Sequence, residues 1–291
     1  MSIYDKIIIT GGGMLAHAFS DVLQRRGAAA TMLTHAQCDI SDDSAVACLF
    51  ASPPTLLLNC AAHTKVDLCE SEKEKADAIN GYAVGKMAAL GREHNTFLVH
   101  VSTDFVFDDS IQRPHRPHDP VNPMQAYGRS KLLGETELQK NAPKDWLIVR
   151  TAWVYGRHGV NFPRTMVTAA RAGKPLSVVA DQIGSPTYTI DLADGILALL
   201  DAGARGIYHI TNSGQTNWLE FAKAALEEFG LPPNVAPLTS DQWRAMKPNS
   251  AVRPTYSVLD IEGFAQTVGR PMRPWQEGLK DFRIAVERDG F

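Results

Sequence analysis

A tyrosine and a lysine four residues apart, Tyr127 and Lys131, are the side chains best placed to do acid–base chemistry. Because residues i and i+4 share one face of a helix, the ammonium group can stabilise the phenolate and lower the tyrosine pKa. Such a tyrosine can exchange a proton with a substrate oxygen. Thr103, at the end of an apolar run, is expected to polarise the same oxygen, with Ser102 a weaker candidate. The alternative is an amphipathic helix whose tyrosine simply packs inside.

A glycine-rich turn near the start of the chain predicts a nucleotide site. Residues 11–16, Gly-Gly-Gly-Met-Leu-Ala, fit the pattern G-x-G-x-x-A, directly after an apolar run at 7–10 and before residues at helical spacing. The glycines allow a tight turn close to a pyrophosphate, and the helix N-terminus supplies free N–H groups. We therefore expect a dinucleotide to contact Gly11, Gly13, Met14 and Leu15; a turn without a ligand is the alternative.

The end of the second expected strand bears on the choice of cofactor. A ribose 2′-hydroxyl usually meets an acidic residue about 20 positions after the glycine turn. Thr34 and His35 stand there instead. They could accept a 2′-phosphate with help from Arg25 or Arg26, so the sequence favours NADPH, and NADH stays possible. Asp39 and Ile40 are placed to line the adenine pocket, although Asp39 could equally belong only to the start of a helix.

Short apolar runs alternate with segments of helical periodicity from the N-terminus to about residue 150. Strand runs are expected at residues 7–10, 29–33, 56–59, 97–101 and 147–149, with a long helix whose apolar face runs from Ala76 to Leu90. This alternation predicts right-handed βαβ units and an open, doubly wound parallel sheet. We place a nucleotide-binding domain at 1–155 and a smaller, mainly substrate-binding α/β lobe at 156–291. The chain could cross between these lobes more than once.

Composition excludes several classes of protein. The net charge is −3 without a basic block, which argues against nucleic acid as a partner. No apolar run reaches the roughly 18–20 residues of a membrane helix, and no signal peptide is visible. The four cysteines match no zinc spacing and are expected to be reduced thiols, so the sequence predicts a cytoplasmic protein without a metal site. It leaves monomer and homodimer open.

Several segments together resemble the extended short-chain dehydrogenase/reductase family. They include Ser-Thr-Asp-Phe-Val-Phe at 102–107 and Tyr-Gly-Arg-Ser-Lys at 127–131. Further matching segments span nearly the whole chain, at residues 59–67, 150–155, 181–187, 206–209 and 253–254. The glycine turn departs from the family pattern because it is one residue shorter and ends in Ala16. Phe105 also departs, since it lacks the hydroxyl common at that position.

The resemblance implies a Rossmann-like fold and an NAD(P)H-dependent oxidoreductase. The implied reaction reduces the 4-keto group of a nucleotide-linked 6-deoxysugar, most closely dTDP-4-dehydro-L-rhamnose to dTDP-L-rhamnose. In this reaction Tyr127 protonates the oxygen formed, and Lys131 also holds the nicotinamide ribose. The remaining implied cofactor contacts are Ala61, Ala62, Thr64 and Ser102. The implied substrate contacts are Asp67, Thr103, Asp104, Phe105, Trp153, Gln182 and Arg253.

Alternatives stay open for both the residues and the reaction. Thr64 and Asp67 could serve as a loop hydrogen bond and a helix cap, Trp153 could be core packing, and Arg253 could be a surface arginine. An epimerase of the same family would retain tightly bound NAD, and a dehydratase would need an acid/base pair beside Thr103, where Asp104 is followed by no glutamate. A non-catalytic regulatory subunit, related to that of methionine adenosyltransferase, is a further possibility, although the Thr103, Tyr127 and Lys131 combination favours an enzyme.

Overall fold

The computed structural model describes residues 4–290, with strands and helices alternating through its first half. The strands are β1 (Ile7–Thr10), β2 (Ala30–Leu33), β3 (Leu56–Asn59), β4 (Phe97–Thr103), β5 (Trp146–Thr151), β6 (Val154–Tyr155), β7 (Leu176–Val179), β8 (Ile183–Gly184), β9 (Thr187–Tyr188), β10 (Gly206–His209), β11 (Thr216–Asn217) and β12 (Val235–Leu238). The α-helices are α1 (Met14–Arg25), α2 (Asp43–Leu49), α3 (Val66–Cys69), α4 (Lys73–Asp77), α5 (Ala83–His94), α6 (Ala126–Asn141), α7 (Phe162–Arg171), α8 (Thr189–Asp201), α9 (Trp218–Glu228), α10 (Ser240–Met246), α11 (Glu262–Val268) and α12 (Trp275–Arg288).

Six parallel strands form the central sheet, in the order β10-β5-β4-β3-β1-β2. Strands β1 and β3 are buried along their whole length, as expected where helices cover both faces of a parallel sheet. The strand order reverses beside β1, because β2 lies on one side of it and β3 on the other. Ligands of such sheets bind at this reversal, outside the carboxyl ends of the strands. The predicted doubly wound parallel sheet is confirmed.

Two hydrophobic cores sandwich this sheet. On one face α1 and α8 pack against side chains such as Ile9, Leu58 and Val99. On the other face α2, α5 and α6 cover Ile8, Leu57 and Leu98. The side chains of successive residues in one strand thus point into opposite cores. This alternation accounts for the continuous apolar runs in the sequence.

A third, aromatic core joins the C-terminal helices α7, α9 and α12. Tyr155, Phe221, Trp275 and Phe282 are buried in it. Three two-stranded sheets, β6-β9, β7-β12 and β8-β11, border this region. Between them the chain returns to the central sheet, because α8 packs on α1 and β10 pairs with β5. The division into lobes at residue 155 stays a prediction. No helix among residues 4–290 combines the length and apolar character needed to cross a bilayer.

The helix expected from Ala76 to Leu90 is interrupted by a π-helical turn at Ala78–Tyr82. The turn directs Asn80 inward, where its side chain bonds to both backbone polar groups of His63 and donates to Ser130 of α6. π turns of this kind are common at functional sites. Here the turn connects the segment after β3 to helix α6.

A buried ion pair joins α6 to β5. The guanidinium of Arg150 donates to both carboxylate oxygens of Glu135, at 2.9 and 2.7 Å, and both side chains are almost fully buried. Ser102 at the end of β4 donates to the same carboxylate, and Arg150 also donates to the backbone oxygen of Pro117. One pair therefore links the helix, two strands and the loop that contains Pro117.

Removing one partner of this pair should be strongly destabilising. Glu135→Gln leaves Arg150 buried without a countercharge, which costs about 3–5 kcal/mol in buried pairs. Asp145→Asn is the control, because it breaks the partly exposed pair with Arg205 at the surface and should cost about 1 kcal/mol or less. Urea unfolding measures both free energies. Equal losses in the two variants would contradict the structural role assigned to Glu135.

Candidate active site

A cavity of about 950 Å³ opens at the carboxyl end of the central sheet, where the strand order reverses. It is lined by the turn after β1, by the ends of β3, β4 and β5, and by the first turns of α6. Most of the residues predicted from sequence lie on its wall: Gly11, Gly13, Met14, Leu15, Asp39, Ile40, Ala61, Ala62, Thr64, Ser102, Thr103, Asp104, Phe105, Tyr127, Lys131, Trp153 and Arg253. The fold thus brings the glycine turn and the three candidate catalytic residues to one cavity.

Three predicted residues, Thr34, Gln182 and Asp67, lie outside the lining. The Thr34 hydroxyl donates to Gln37 at 2.9 Å, behind the glycine turn. Gln182 is buried and donates to Ser240 at 2.9 Å, so its amide holds the start of α10. Their assignments to cofactor and substrate stay predictions.

Asp67, the third predicted residue outside the lining, contacts a residue of the lining. Its carboxylate accepts from the guanidinium of Arg253 at 2.9 Å and from the backbone N–H of Ala251 at 3.0 Å. Asp67 lies in the first turn of α3, whereas Arg253 lies in the segment after α10. The pair therefore fastens a C-terminal segment to the mouth of the cavity and orients Arg253 there.

The glycine turn has the shape that a pyrophosphate requires. Gly11 has φ 95°, and a Cβ on it would press against the backbone of Ala61, so only glycine fits. A Cβ on Gly13 would meet nothing within 4 Å. Helix α1 has no acidic residue in its first turn and no side-chain cap. Its N-terminus therefore offers free N–H groups and a positive dipole end to an anion.

The basic residues predicted to bind a 2′-phosphate lie in different places. Arg26 is engaged with Asp194 and Asp201, at 2.6 and 2.8 Å, and so is held against α8. His35 lines the cavity and is largely exposed, 3.7 Å from Asp39. Of the positively charged or chargeable groups considered from sequence, His35 is thus the one on the cavity wall.

Lys131 is buried beneath the cavity, where its ammonium contacts the sheet. Nζ donates to the backbone oxygen of Val101 at 2.7 Å and lies 3.2 Å from Nε2 of His100. Burial lowers the pKa of Lys131 to about 8, whereas the negative charge of Glu135 acts to raise it. The lysine can therefore lose or gain its proton near neutral pH.

Tyr127 differs from the sequence expectation. Its pKa is raised, first by burial and then by the nearby carboxyl of Asp104, while a hydrogen bond with Thr103 acts in the opposite direction. The expected lowering by Lys131 is absent. The phenol is therefore protonated at neutral pH, the form from which a proton can be donated, and the raised pKa makes it a weaker acid than a free tyrosine.

Thr103 and Asp104 form a hydrogen-bonded pair at the end of β4. The threonine hydroxyl donates to the Asp104 carboxylate at 2.9 Å and accepts from the backbone N–H of Phe105 at 3.2 Å. Burial raises the pKa of Asp104 to about 6, although hydrogen bonds from Ser257 and Thr103 oppose the rise. A buried carboxyl therefore borders the candidate catalytic residues.

An aromatic wall closes the other side of the cavity. Trp153 stacks on Trp218 with 3.7 Å between ring centroids, and both line the cavity. Trp153 adopts φ 47°, a conformation that costs a non-glycine residue about 1–3 kcal/mol. Packing against Gly184 holds it there, because a Cβ on that glycine would overlap the indole ring.

Sequence reasoning missed Trp218 and two histidines at the glycine turn. His17 of α1 and His158 stack with 4.3 Å between ring centroids, and both line the cavity. His17 could have been found, since it lies one turn into the helix that follows the glycines. Nothing in the sequence near His158 or Trp218 indicates that the chain brings them to this cavity.

Comparison with known proteins identifies the family of this chain. The family model described as the RmlD substrate binding domain matches residues 5–287. The chain belongs to this family. It is 40% identical over 279 residues to the spore coat polysaccharide biosynthesis protein SpsK of Bacillus subtilis, covering 95% of this chain and 96% of that protein.

Two reductases are similarly close to this RmlD-family chain. The dTDP-4-dehydrorhamnose reductase of Mycolicibacterium smegmatis is 40% identical over 287 residues, which are 97% of this chain and 86% of that protein. The crystal structure of dTDP-4-dehydrorhamnose reductase from Bacillus anthracis in complex with NADP superposes with a TM-score of 0.89 at 33% identity, covering 96% of this chain and 98% of that one.

The RmlD-family site fits the dinucleotide that the family implies. The open face of Gly13, the uncapped N-terminus of α1 and the small residues Ala61 and Ala62 leave room along the cavity wall. Over residues 4–290, by contrast, no group of three or more His, Cys, Asp or Glu side chains is arranged to hold a metal ion.

Asp104 gives this site a pH-dependent cost. Its folded-state pKa is about 6, above the ordinary 3.8, so the folded protein binds this proton more tightly than the unfolded chain. Stability from this group is present below pH 4 and is lost as pH rises toward 6. The advantage of Asp104→Asn over the parent in unfolding free energy should therefore grow with pH, by up to about 3 kcal/mol between pH 4 and pH 7.

Urea unfolding at a series of pH values measures this difference. Asp108→Asn is a suitable control, because hydrogen bonds from Ser110 lower the pKa of that exposed carboxyl. Its curve should run the opposite way or stay flat. A constant difference between Asp104→Asn and the parent across this range would refute the prediction.

Proposed function

We propose that this chain reduces the 4-keto group of a nucleotide-linked 6-deoxysugar with NADPH, most closely dTDP-4-dehydro-L-rhamnose to dTDP-L-rhamnose. One observation carries the proposal: Thr103, Tyr127 and Lys131 share a cavity with a glycine turn suited to a dinucleotide. The named relatives of M. smegmatis and B. anthracis support the substrate, and the NADP bound to the latter supports the cofactor.

The chemistry divides between the cofactor and the chain. Bound NADPH supplies the hydride. Tyr127, whose phenol is protonated at neutral pH, gives its proton to the sugar oxygen that gains negative charge. The Thr103 hydroxyl, now donating to Asp104, polarises the keto oxygen once it turns toward it.

Lys131 and the aromatic wall hold the reactants in this proposal. The lysine nitrogen lies beneath the cavity wall that includes the small residues Ala61 and Ala62, and it would hold a ribose hydroxyl of the bound cofactor. Trp153 offers a ring face to the sugar and closes the cavity against water. Exclusion of water strengthens the hydrogen bonds that stabilise the developing charge.

Arg253 is the proposed contact for the substrate diphosphate. Its guanidinium is partly exposed at the cavity mouth and is oriented by Asp67. A planar guanidinium suits phosphate oxygens, and one carboxylate partner leaves further N–H donors free to bind them. Asp67 would then act on the substrate through Arg253.

The first test is NADPH oxidation at 340 nm with dTDP-4-dehydro-L-rhamnose. Tyr127→Phe should lower kcat by about 100-fold or more, because general acid catalysis contributes about 10²–10⁴. Tyr82→Phe, at a tyrosine that is 55% exposed on the π turn, should leave kcat unchanged. A folded, NADPH-binding parent that turns over none of this sugar would refute the proposal.

The second test separates substrate binding from chemistry. Asp67→Asn removes the charged partner of Arg253, so KM for the nucleotide sugar should rise about three- to tenfold, as for a half-exposed ion pair, while kcat stays close to the parent. The Kd for NADPH should not move, and Asp145→Asn serves as the charge-matched control. A parallel change in NADPH affinity would place Asp67 at the cofactor instead.

A further inference from the structure

A segment from the second half of the chain lies against the glycine turn. Residues 157–160 connect β6 to α7, and the last three of them line the cavity. A Cβ on Gly159 would come within 3.8 Å of Met14, the first residue of α1. The Asn161 amide donates to the backbone oxygen of Gly156 at 2.7 Å and to the Met14 sulfur at 3.8 Å. The segment is therefore held beside the helix N-terminus that offers free N–H groups to an anion.

His158 is the residue of this segment that contacts the side of helix α1. Its ring stacks on that of His17, with 4.3 Å between centroids and 27° between planes. His17 belongs to the first turn of the helix, since its backbone N–H donates to the backbone oxygen of Gly13 at 3.2 Å. The stack thus sets the plane of the His158 ring next to the glycine turn.

The guanidinium of Arg157 determines which nitrogen of His158 carries the proton. Its Nε–H donates to Nε2 of His158 at 3.2 Å, and because arginine has only donors, Nε2 has to accept. Arg157 is itself held by Asp289 at 3.0 Å and by Asp21 of α1 at 3.7 Å. Burial, followed by the neighbouring His17, lowers the pKa of His158. The ring is therefore neutral at neutral pH, and its one proton lies on Nδ1.

This Nδ1–H is a donor that the protein itself does not use. Over residues 4–290 no group accepts from it, although the ring lines the cavity. The two carboxylates nearby, Asp21 and Asp289, are engaged with Arg157. A donor beside the positive end of a helix suits an anionic acceptor, because hydrogen bonds to charged oxygens are the stronger ones.

The strand order indicates which part of a dinucleotide lies nearest to this donor. Hydride transfer requires the nicotinamide to lie near Thr103 and Tyr127, on the β4 side of β1. The adenosine then lies toward Asp39, which follows β2 on the other side. Residues 157–160 follow β5 and β6 in the chain, so they approach the turn from the nicotinamide side. The phosphate nearest to His158 is therefore the one that carries the nicotinamide ribose.

We propose that His158 is a cofactor-binding residue whose Nδ1–H, fixed by Arg157, donates to the nicotinamide-side phosphate of NADPH bound at the N-terminus of α1. The inference rests on the cofactor of the proposed function and not on its sugar. His158 would add a donor to a glycine turn that is one residue shorter than the family pattern.

Fluorescence titration with NADPH, without sugar, tests this contact. His158→Phe keeps a ring to stack on His17 but has no N–H, so Kd should rise about tenfold or more, as for one lost hydrogen bond to a charged group. His158→Ser is the second variant in case the first does not fold, and it should show the same rise. His94→Phe is the matched control, because His94 also stacks on an aromatic ring, Phe50, but lies outside the cavity lining.

The Kd of His94→Phe should stay within about twofold of the parent, as for a surface substitution. An unchanged Kd in the folded His158 variants overturns the proposal, and so does an equal rise in His94→Phe.

Two fragments of the cofactor locate the contact on the pyrophosphate. 2′-Phospho-ADP-ribose keeps both phosphates of the bridge, whereas 2′,5′-ADP lacks the phosphate on the nicotinamide side. In competition with NADPH, His158→Phe should bind the first fragment about tenfold more weakly and should bind the second as the parent does. Equal weakening of both fragments would place the contact at the adenosine side and overturn the proposal.

NMR of ¹⁵N-labelled histidine rings reads the tautomer independently of activity. The His158 signals are assigned by their loss in His158→Phe and should show the proton on Nδ1 in the parent. Arg157→Leu should let the proton exchange between the two nitrogens and should raise the Kd for NADPH. A proton on Nε2 in the parent overturns the proposal. If the parent binds NADPH but turns over no sugar, the proposed function fails, and the Kd and NMR measurements still decide the role of His158.

Discussion

The position of helix α6 depends on two contacts that leave no space for a side chain. A Cβ on Gly128 would overlap the backbone oxygen of Phe105, and a Cβ on Gly134 would overlap that of Asn80. The helix therefore lies with its backbone directly on the turn after β4 and on the π turn. Tyr127 and Lys131 sit beside and between these contacts, so the distance of both from the end of the sheet is set by backbone against backbone.

Burial at this depth determines the electrostatics of the site. Lys131, Asp104 and Tyr127 are each displaced toward the neutral form: the first to a pKa of about 8, the second to about 6, and the third upward. In such a low-dielectric setting each hydrogen bond counts for more than it would in water.

The local sequence pattern was enough to predict features whose interacting residues are neighbours in the chain. The apolar run of β1, the glycine turn and the pairing of Tyr127 with Lys131 on one helix face follow from turn chemistry and periodicity, and the parallel sheet follows from their alternation. The same reasoning gave the wrong direction for the Tyr127 pKa. It took account of the lysine one turn away but could not include the burial or the proximity of Asp104, which depend on packing.

Features that depend on contacts between residues far apart in the sequence could not be predicted from it. The π turn is held by bonds from Asn80 to His63 and Ser130, and periodicity alone gives one unbroken helix there. The contact of His100 with Lys131 depends on how α6 lies across the sheet. The stack of His17 on His158 joins segments 141 positions apart. None of these leaves a periodic signal, because each is decided by the register of whole elements.

The return of the chain to the central sheet through α8 and β10 bears on how such a protein can change in evolution. A gene fragment ending near residue 155 would lack the edge strand of the sheet and the helix that covers α1. An exchange of the region after that point with a relative would therefore also replace an edge strand of the central sheet and the helix that covers α1. Such an exchange has to preserve two packing surfaces of the first half, whereas a substitution within a loop disturbs neither.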